Sequence, residues 1–495
     1  MVRSSMPRML RARPLLINAR NDRPGSGTAL IPSPSMTPVR LDPSQVPAPI
    51  LEILRRLGDA GHRAYLVGGA VRELLRGVPL QDWDVGTSAT PDQVLGLYPD
   101  AIATGARFGT LTIPTRAGHC EVTTFRIESE YTDARHPEKV TFVRELEEDL
   151  KRRDFTVNAI AWDPLAGRIV DPTGGLADLD QGILRAVGEP LERFREDGLR
   201  PIRAARFAAT LEFQLEERTT RALRETRTEV GRVAAERVQD ELMKMLRARE
   251  PSRGFEVLRQ AGLLGVWLQE LEACVAVPQN RYHAYDVYFH TIYTCDAAPA
   301  AKPAVRLAAV FHDVGKPRTR EERDGGEATF YNHQFVGAAM AEEAMARLRF
   351  GREMTETVVH LVRHHMFDYR REWTDAAVRR FIRGVGVEHI ADLFDLRIAD
   401  NIGNGLKTGF PHYLEELRAR VDAILEAEEA LSVQDLAVDG NDVMTILHLP
   451  PSPRVGGILN QLLEEVLENP QLNTRERLLE RIRAGFSIDT RESRT

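Results

Sequence analysis

The sequence predicts an α+β protein: a small mixed α/β head followed by helices alone. Three observations carry this. Short apolar runs at Tyr65–Val67, Thr110–Ile113 and Glu121–Phe125 read as strands, and all lie in the first third of the chain. Beyond about residue 176 strand signals nearly vanish and helical periodicity takes over. The turn Asp171-Pro172-Thr173-Gly174-Gly175 separates the two regimes. With 495 residues, 43% hydrophobic and 28% charged, the chain has globular composition and room for three or four domains.

In chain order, residues 1–45 are rich in Arg, Pro and Ser and lack periodicity, so they are expected to be disordered. Arginine with few acids mimics an organelle transit peptide; a loose tail, or a start at Met36, are the alternatives. A helix is expected over Ile50–Leu57, ended by Gly58. The strand Tyr65–Val67 follows, then Gly68-Gly69, a helix over Ala70–Arg76, a turn with Gly77 and Pro79, and a strand over Asp82–Val85. Thr90 and Pro91 read as the N-cap and first residue of another helix. Residues 127–141 are polar and read as a mobile loop, and residues 150–164 as a basic turn into a short helix. The segment 430–485 reads as helices with polar faces, broken at Pro450-Pro451-Ser452-Pro453.

Asp82 and Asp84 alternate with Trp83, so both carboxylates point to one side of a strand. Like charges this close are costly unless cations lie between them. Mg²⁺ takes oxygen ligands and shares itself with substrate phosphates. Gly68-Gly69 removes side chains where backbone N–H groups approach phosphate oxygens. Glu121 is a third strand carboxylate in the same unit. The pattern points to metal-dependent chemistry on a nucleotide.

The net charge of −7, from 66 basic and 73 acidic residues, requires any nucleic-acid binding to rest on locally concentrated arginines. Residues 191–213 hold Arg193, Arg195, Arg200, Arg203 and Arg206, the last three spaced to share one side of a helix. Cys120, Cys274 and Cys295 are odd in number and far apart, which fits a reducing cytoplasm without a disulfide framework. No apolar run approaches the roughly 20 residues of a membrane span. Residues 280–405 gather His290, His312-Asp313, His333, His364-His365 and Asp400. On successive helices, such ligands can converge inside a bundle.

At these residues the chain resembles the bacterial-type (class II) tRNA nucleotidyltransferases, the CCA-adding enzymes, close kin of bacterial poly(A) polymerases. The likeness covers roughly residues 46–485. GGAVRELLRG with DWDVGTSATP resembles the family's metal-binding motif. ATGARFGTLTI and EVTTFR resemble its next strands, RRDFTVNAIAWDP its ribose motif, EDGLRPIRAARFA its nucleotide-template motif and ERVQDELMKML its neck helix. The histidine block resembles an HD phosphohydrolase domain. Glu73 and Trp83 stand where Asp, and Ile or Leu, are more usual.

After the disordered tail that composition gives at 1–45, the resemblance implies a nucleotidyltransferase head at 46–175. It then implies a helical neck with template motif and RNA-binding surface at 176–275, an HD domain at 276–430 and a helical tail at 431–495. Asp82 and Asp84 would hold catalytic Mg²⁺, with Glu121 the third active-site carboxylate. Gly68, Gly69 and Arg72 would lie at the triphosphate, with Arg126 on the same surface. Arg153, Asp154 and Asn158 would contact ribose and phosphates. Glu196, Asp197 and Arg200 would hold the incoming base, with Arg203 and Arg206 on the same helix side. His290, His312, Asp313 and Asp400 would surround one divalent metal; His333 and His364 would complete a second, with His365 the rival of His364.

The implied activity is addition of C, C and A to tRNA from CTP and ATP in the cytoplasm, by a monomer or homodimer, with phosphohydrolase activity in the HD domain. Addition of only A or only CC, or of poly(A), are alternatives. In another class, the chain would be an HD phosphohydrolase with a nucleotide-sensing head.

Overall fold

A computed structural model describes residues 41–80, 82–105, 108–131, 137–280, 283–322, 328–406, 412–427 and 430–486. The expectation of disorder over 1–45 lies mostly outside these residues. Within them, Pro43–Gln45 forms a 3-10 turn capped reciprocally by Asp42 and Gln45, and Val46 is already in the core.

The head carries strands β1 (Ala64–Val67), β2 (Trp83–Thr87), β3 (Ile102–Gly105), β4 (Thr110–Thr115), β5 (Gly118–Thr124), β6 (Arg126–Tyr131), β7 (Pro137–Phe142), β8 (Ala161–Asp163) and β9 (Arg168–Val170). Seven of them form one sheet in the order β3-β4-β5-β2-β1-β8-β9. β2 and β5 run parallel at its centre, and the other neighbours are antiparallel. This pairing sets Asp84 directly opposite Glu121. Trp83 and Val85 point the other way and are buried with Leu54, Leu111 and Trp162.

Two local expectations are corrected. Residues 127–141 form the antiparallel ribbon β6–β7 rather than a loop; residues 132–136 lie outside the described residues. β-branched Ile127 and Thr141 are cross-strand partners, a pairing that favours the ladder despite the polar composition. Residues 150–164 begin with the end of helix Leu146–Lys151 and then hold only a 3-10 turn at Thr156–Asn158 before β8. The run Ala159-Ile160-Ala161-Trp162 is buried throughout, and a fully buried strand has no alternation to separate it from a helix.

After the head the long elements are helical. The neck includes helices Pro190–Glu196, Leu199–Leu211, Ala235–Met245 and Ser252–Gln260. The histidine-rich part follows with Val287–Ala297, Pro303–Phe311, His333–Arg347, Arg352–His364 and Val387–Gly403. One continuous core runs from Phe155 through Phe255 and Phe311 to Ile424. Buried Arg306 donates to the carbonyls of Leu246, Ala248 and Ala298, tying the end of the neck to this bundle. The expected division at 275/276 is therefore one of motifs, with no break in packing. The tail has its own core, from Ala430 to Ile482. Among the described residues no helix is long and apolar enough to cross a membrane.

Candidate active sites: a head–neck cleft and a histidine cluster

A cleft of about 1030 Å³ opens between the sheet and the neck. Asp82, Asp84 and Glu121 line one wall. Burial pushes the Asp84 carboxyl up to about 6; Arg153 opposes this, and Glu121 and Asp82 add to it. A half-buried carboxylate facing two like charges is a site that a divalent cation would relieve, so these residues fit the Mg²⁺ that the sequence implies.

Gly68 has φ 65°, a conformation most residues avoid, and a Cβ there would stand 2.7 Å from Arg153 Nη1. The glycine thus lets Arg153 lie against the turn beside Asp84. Arg153 also donates to the Asn158 carbonyl at 3.2 Å, and both Arg152 and Arg153 are ion-paired to buried Asp149. Arg72 bonds Asn158 and pairs with Glu73 at 2.8 Å, so the departure from Asp at position 73 keeps a working carboxylate. The Arg126 side chain donates to the Phe108 carbonyl. Asp154 accepts from Arg203 at 2.7 Å and from Asn158 at 3.0 Å. Burial would raise its pKa, but Arg203 and Asn158 hold it below the usual carboxylate range.

The residues expected to read the base come from the junction of two helices. Asp197 ends Pro190–Glu196 and pairs with Arg237 Nη2 at 2.9 Å; Arg200 is the second residue of Leu199–Leu211. Glu196 is outside the cleft lining. Its carboxylate holds Arg193 and Arg200, each at 2.7 Å, and so braces an arginine that does line the cleft. Arg203 and Arg206 do line the cleft, the latter ion-paired to buried Glu241. The lining also contains Arg152, Phe207, Arg237 and Lys244, which sequence reasoning did not assign. Nine basic side chains there face five acidic ones, a balance suited to a polyanion.

In the helical bundle two triads meet: His290, His312 and Asp400, and Asp313, His333 and His365. Asp313 joins them. Its Oδ2 lies 3.3 Å from both His290 and His312 Nε2, and its Oδ1 lies 3.3 Å from His333 Nε2. His312, His333 and His365 each place Nδ1 on a backbone carbonyl, at 2.8, 2.7 and 2.7 Å. Donation there leaves each Nε2 a lone pair directed inward, the arrangement of metal-ligating imidazoles. The pairs His290–His312 and His333–His365 bring Nε2 atoms to 3.2 and 3.3 Å, which a shared cation would relieve. The residues therefore fit divalent cations.

His364 is corrected to His365. His364 turns to the outer side of its helix, where Nδ1 meets the His360 carbonyl at 2.9 Å and the two rings lie 4.2 Å apart. Gly315 makes the junction possible: a Cβ there would stand 2.2 Å from the His333 carbonyl oxygen, so only glycine lets the His312-Asp313 turn approach that helix.

Asp82 lies one residue before the start of β2 rather than within it as expected. Two carboxylates on a mixed sheet, Asp84 and Glu121, with Asp82 beside them, facing a basic cleft and joined to a His/Asp bundle, define a nucleotidyltransferase head with an HD-type helical partner. Residues 64–185 match the poly A polymerase head domain, 212–275 the probable RNA and SrmB-binding site of polymerase A, and 281–405 the HD domain. The A-adding tRNA nucleotidyltransferase of Deinococcus radiodurans is 36% identical over 413 residues, 81% of this chain and 91% of that protein. The CCA-adding enzyme of Streptococcus mutans is 32% identical over 436 residues, 88% and 96% of the two chains. The crystal structure of the Bacillus stearothermophilus CCA-adding enzyme in complex with CTP is similar with a TM-score of 0.67 at 29% identity, covering 88% of this chain and 97% of that one. The chain belongs to the bacterial tRNA nucleotidyltransferase family and is an enzyme of that transferase class.

Proposed function

We propose that this enzyme adds C, C and A to the 3′ end of tRNA from CTP and ATP. The observation that carries the reading is the convergence of Asp82, Asp84 and Glu121 with Asp197 and Arg200 on one cleft. In this reading the 3′-hydroxyl of the RNA attacks the α-phosphate and pyrophosphate leaves. Two Mg²⁺ ions held by Asp82 and Asp84 would supply charge to the attacking and leaving oxygens. The chain's own part is positioning: Gly68 and Gly69 leave room for the phosphates, Arg72 and Arg153 face their charge, and Asp154 and Asn158 sit at ribose height.

Base choice follows from hydrogen-bond order. Cytosine and adenine each present an amino donor beside a ring-nitrogen acceptor. Asp197 accepts from the first and Arg200 donates to the second. Uracil and guanine reverse the order, setting a carbonyl oxygen against the carboxylate and an N–H against the guanidinium, which leaves both charged groups without a hydrogen bond and is worth about 10²-fold or more in discrimination.

A second reading is addition of A alone, favoured by the 36% identity to the A-adding enzyme of Deinococcus radiodurans. Three tRNAs, ending before CCA, after C and after CC, separate the two. Two cytidines then one adenosine, followed by a stop, support full CCA addition. Adenosine added only to the tRNA ending in CC replaces it with the A-adding reading, and long A tails with a polymerase.

We further propose that the histidine cluster is a phosphohydrolase centre for phosphate esters, such as 2′,3′-cyclic phosphates at tRNA ends. Divalent cations there would supply the charge that a phosphate ester needs for attack by water. The support is the pair of triads, one containing Asp313 and the other in contact with it. Opening of a terminal 2′,3′-cyclic phosphate by wild type, in which water adds at phosphorus and one P–O ester bond breaks to leave a phosphomonoester, and its loss in Asp313→Asn, tests it.

A further inference from the structure

Of the two phenylalanines that line the cleft, Phe108 and Phe207, the second lies among its arginines. Phe207, on Leu199–Leu211, is 3% exposed, and three guanidinium carbons lie over it: Arg206 at 3.7 Å, Arg72 at 5.1 Å and Arg203 at 5.4 Å from the ring centroid. All four residues line the cleft. Adjacent residues on a helix do not normally face each other, so Arg206 must fold back to reach the ring of its neighbour. The ring is fixed from behind by Phe155, edge to face at 5.7 Å.

The three cations come from both sides of the cleft. Arg72 belongs to the helix Gly69–Leu75 of the head, and its Nη2 lies 3.7 Å from where a Cβ on Gly69 would be. Arg203 and Arg206 belong to the neck. Arg72 pairs with Glu73 and Arg203 with Asp154, while Glu241 meets both Arg203 and Arg206. These contacts neutralise charge and link the two neck arginines, but no carboxylate joins Arg72 of the head to them. An aromatic face does, because its quadrupole attracts each cation without taking up its N–H donors. Glu73 and Asn158 engage Arg72 at Nε, Nη1 and Nη2, Asp154 engages Arg203 at Nε and Nη2, and Glu241 engages Arg206 at Nε; the remaining guanidinium N–H groups are the ones that can meet phosphate oxygens.

We propose that Phe207 is a positioning residue for the polyphosphate of the incoming nucleotide, gathering Arg72, Arg203 and Arg206 into a preorganised anion-binding fan across the head–neck cleft. This rests on the reading of the cleft as the nucleotide site. The ring contributes through its π-electron density, beyond its volume.

The test is steady-state incorporation of C into a tRNA ending before CCA by the full-length enzyme. Phe207→Leu keeps an apolar side chain but removes the ring face. KM for CTP should rise about ten-fold, with kcat and KM for tRNA nearly unchanged. Inhibition by inorganic tripolyphosphate should weaken by the same factor. Phe207→Tyr should restore KM.

Because Leu can also disturb packing, a graded series separates the two causes. Mono-, di- and trifluorophenylalanine at position 207 barely change volume but progressively withdraw π density. A steady rise in KM along the series, at constant thermal midpoint, supports the proposal. A flat series, or a change confined to KM for tRNA, overturns it. Wild type that incorporates no nucleotide would instead overturn the reading of the cleft itself.

Discussion

In the head, Asp84 is flanked by Glu121 and Asp82, and burial together with these like charges outweighs Arg153 and lifts its carboxyl to about 6. In the histidine cluster the carboxylates are more deeply buried and yet shifted the opposite way. Burial alone would raise Asp313, but His312, Lys316 and the His290 hydrogen bond hold it well below the usual range. Asp400 is held low in the same manner by His290, His312 and Arg397. The head is an open wall of anions that leaves its charge to be met by what it binds. The cluster is closed and supplies its own countercharge. The difference matches their proposed tasks: a site that must admit a triphosphate and an RNA end stays wide and incomplete, whereas one that holds its cations permanently encloses them.

The largest test is whether the two sites are chemically independent. Asp84→Asn should lower nucleotide incorporation by about 10³-fold or more while leaving ester hydrolysis intact. Asp313→Asn should do the reverse. The shared core between neck and bundle makes stability the control, so thermal midpoints accompany both assays. Loss of both activities from either single variant, at unchanged midpoint, would break the division into two centres.

Next in size is base choice. Asp197→Ala should relax discrimination against UTP and GTP by about 10²-fold. It also leaves Arg237 without its carboxylate partner, so the double variant Asp197→Ala with Arg237→Ala separates repulsion by an orphaned cation from loss of the base contact. Unchanged selectivity in both would remove Asp197 from the template.

Within the cluster, His365→Ala should weaken binding of Mn²⁺ about 10–100-fold, while His364→Ala should match wild type. Equal losses from the two, read by calorimetry, would return His364 to the site.

That pair of histidines also shows how far the sequence could be read. Val358, Leu361, Val362 and His365 recur at helical spacing on one buried face, and His364 falls with His360 on the other. The signal that chooses His365 was therefore in the chain, but weighing the histidines as a set hid it. The carboxylate wall was legible because period two on a strand needs no tertiary information: Asp84 and Glu121 meet once their strands pair. Glu196 was not legible as an anchor, because whether its carboxylate faces the cavity or Arg200 depends on how two helices join. Arg237 and Phe207 were hidden for a similar reason. Each reads locally as part of an amphipathic helix, and their neighbours in the cleft come from segments remote in sequence, Asp197 for one and Arg72 for the other.

The finest test counts protons. Burial would lower His290, but its hydrogen bonds to Asp313 and Asp400 win and raise it to about 9. At pH 7.5 the cation-free cluster therefore holds a proton between those carboxylates, where a metal would otherwise supply the charge. Ligation needs a neutral imidazole, so binding must expel that proton. About one proton should be released per cluster at pH 7.5, and affinity should rise roughly ten-fold per pH unit until about pH 9. The sign is the same in the head, but the pH window is lower. Asp84 is already ionised above about 6, so cation binding there should release almost no proton at pH 7.5. Its affinity should be flat at higher pH and fall roughly ten-fold per unit below 6. Calorimetry of Mn²⁺ binding in buffers of different ionisation enthalpy reads the proton count directly, with Asp84→Asn and Asp313→Asn isolating each site. Equal proton release from the two variants would mean that the cluster is not self-neutralised, and the electrostatic contrast between the two centres would fall with it.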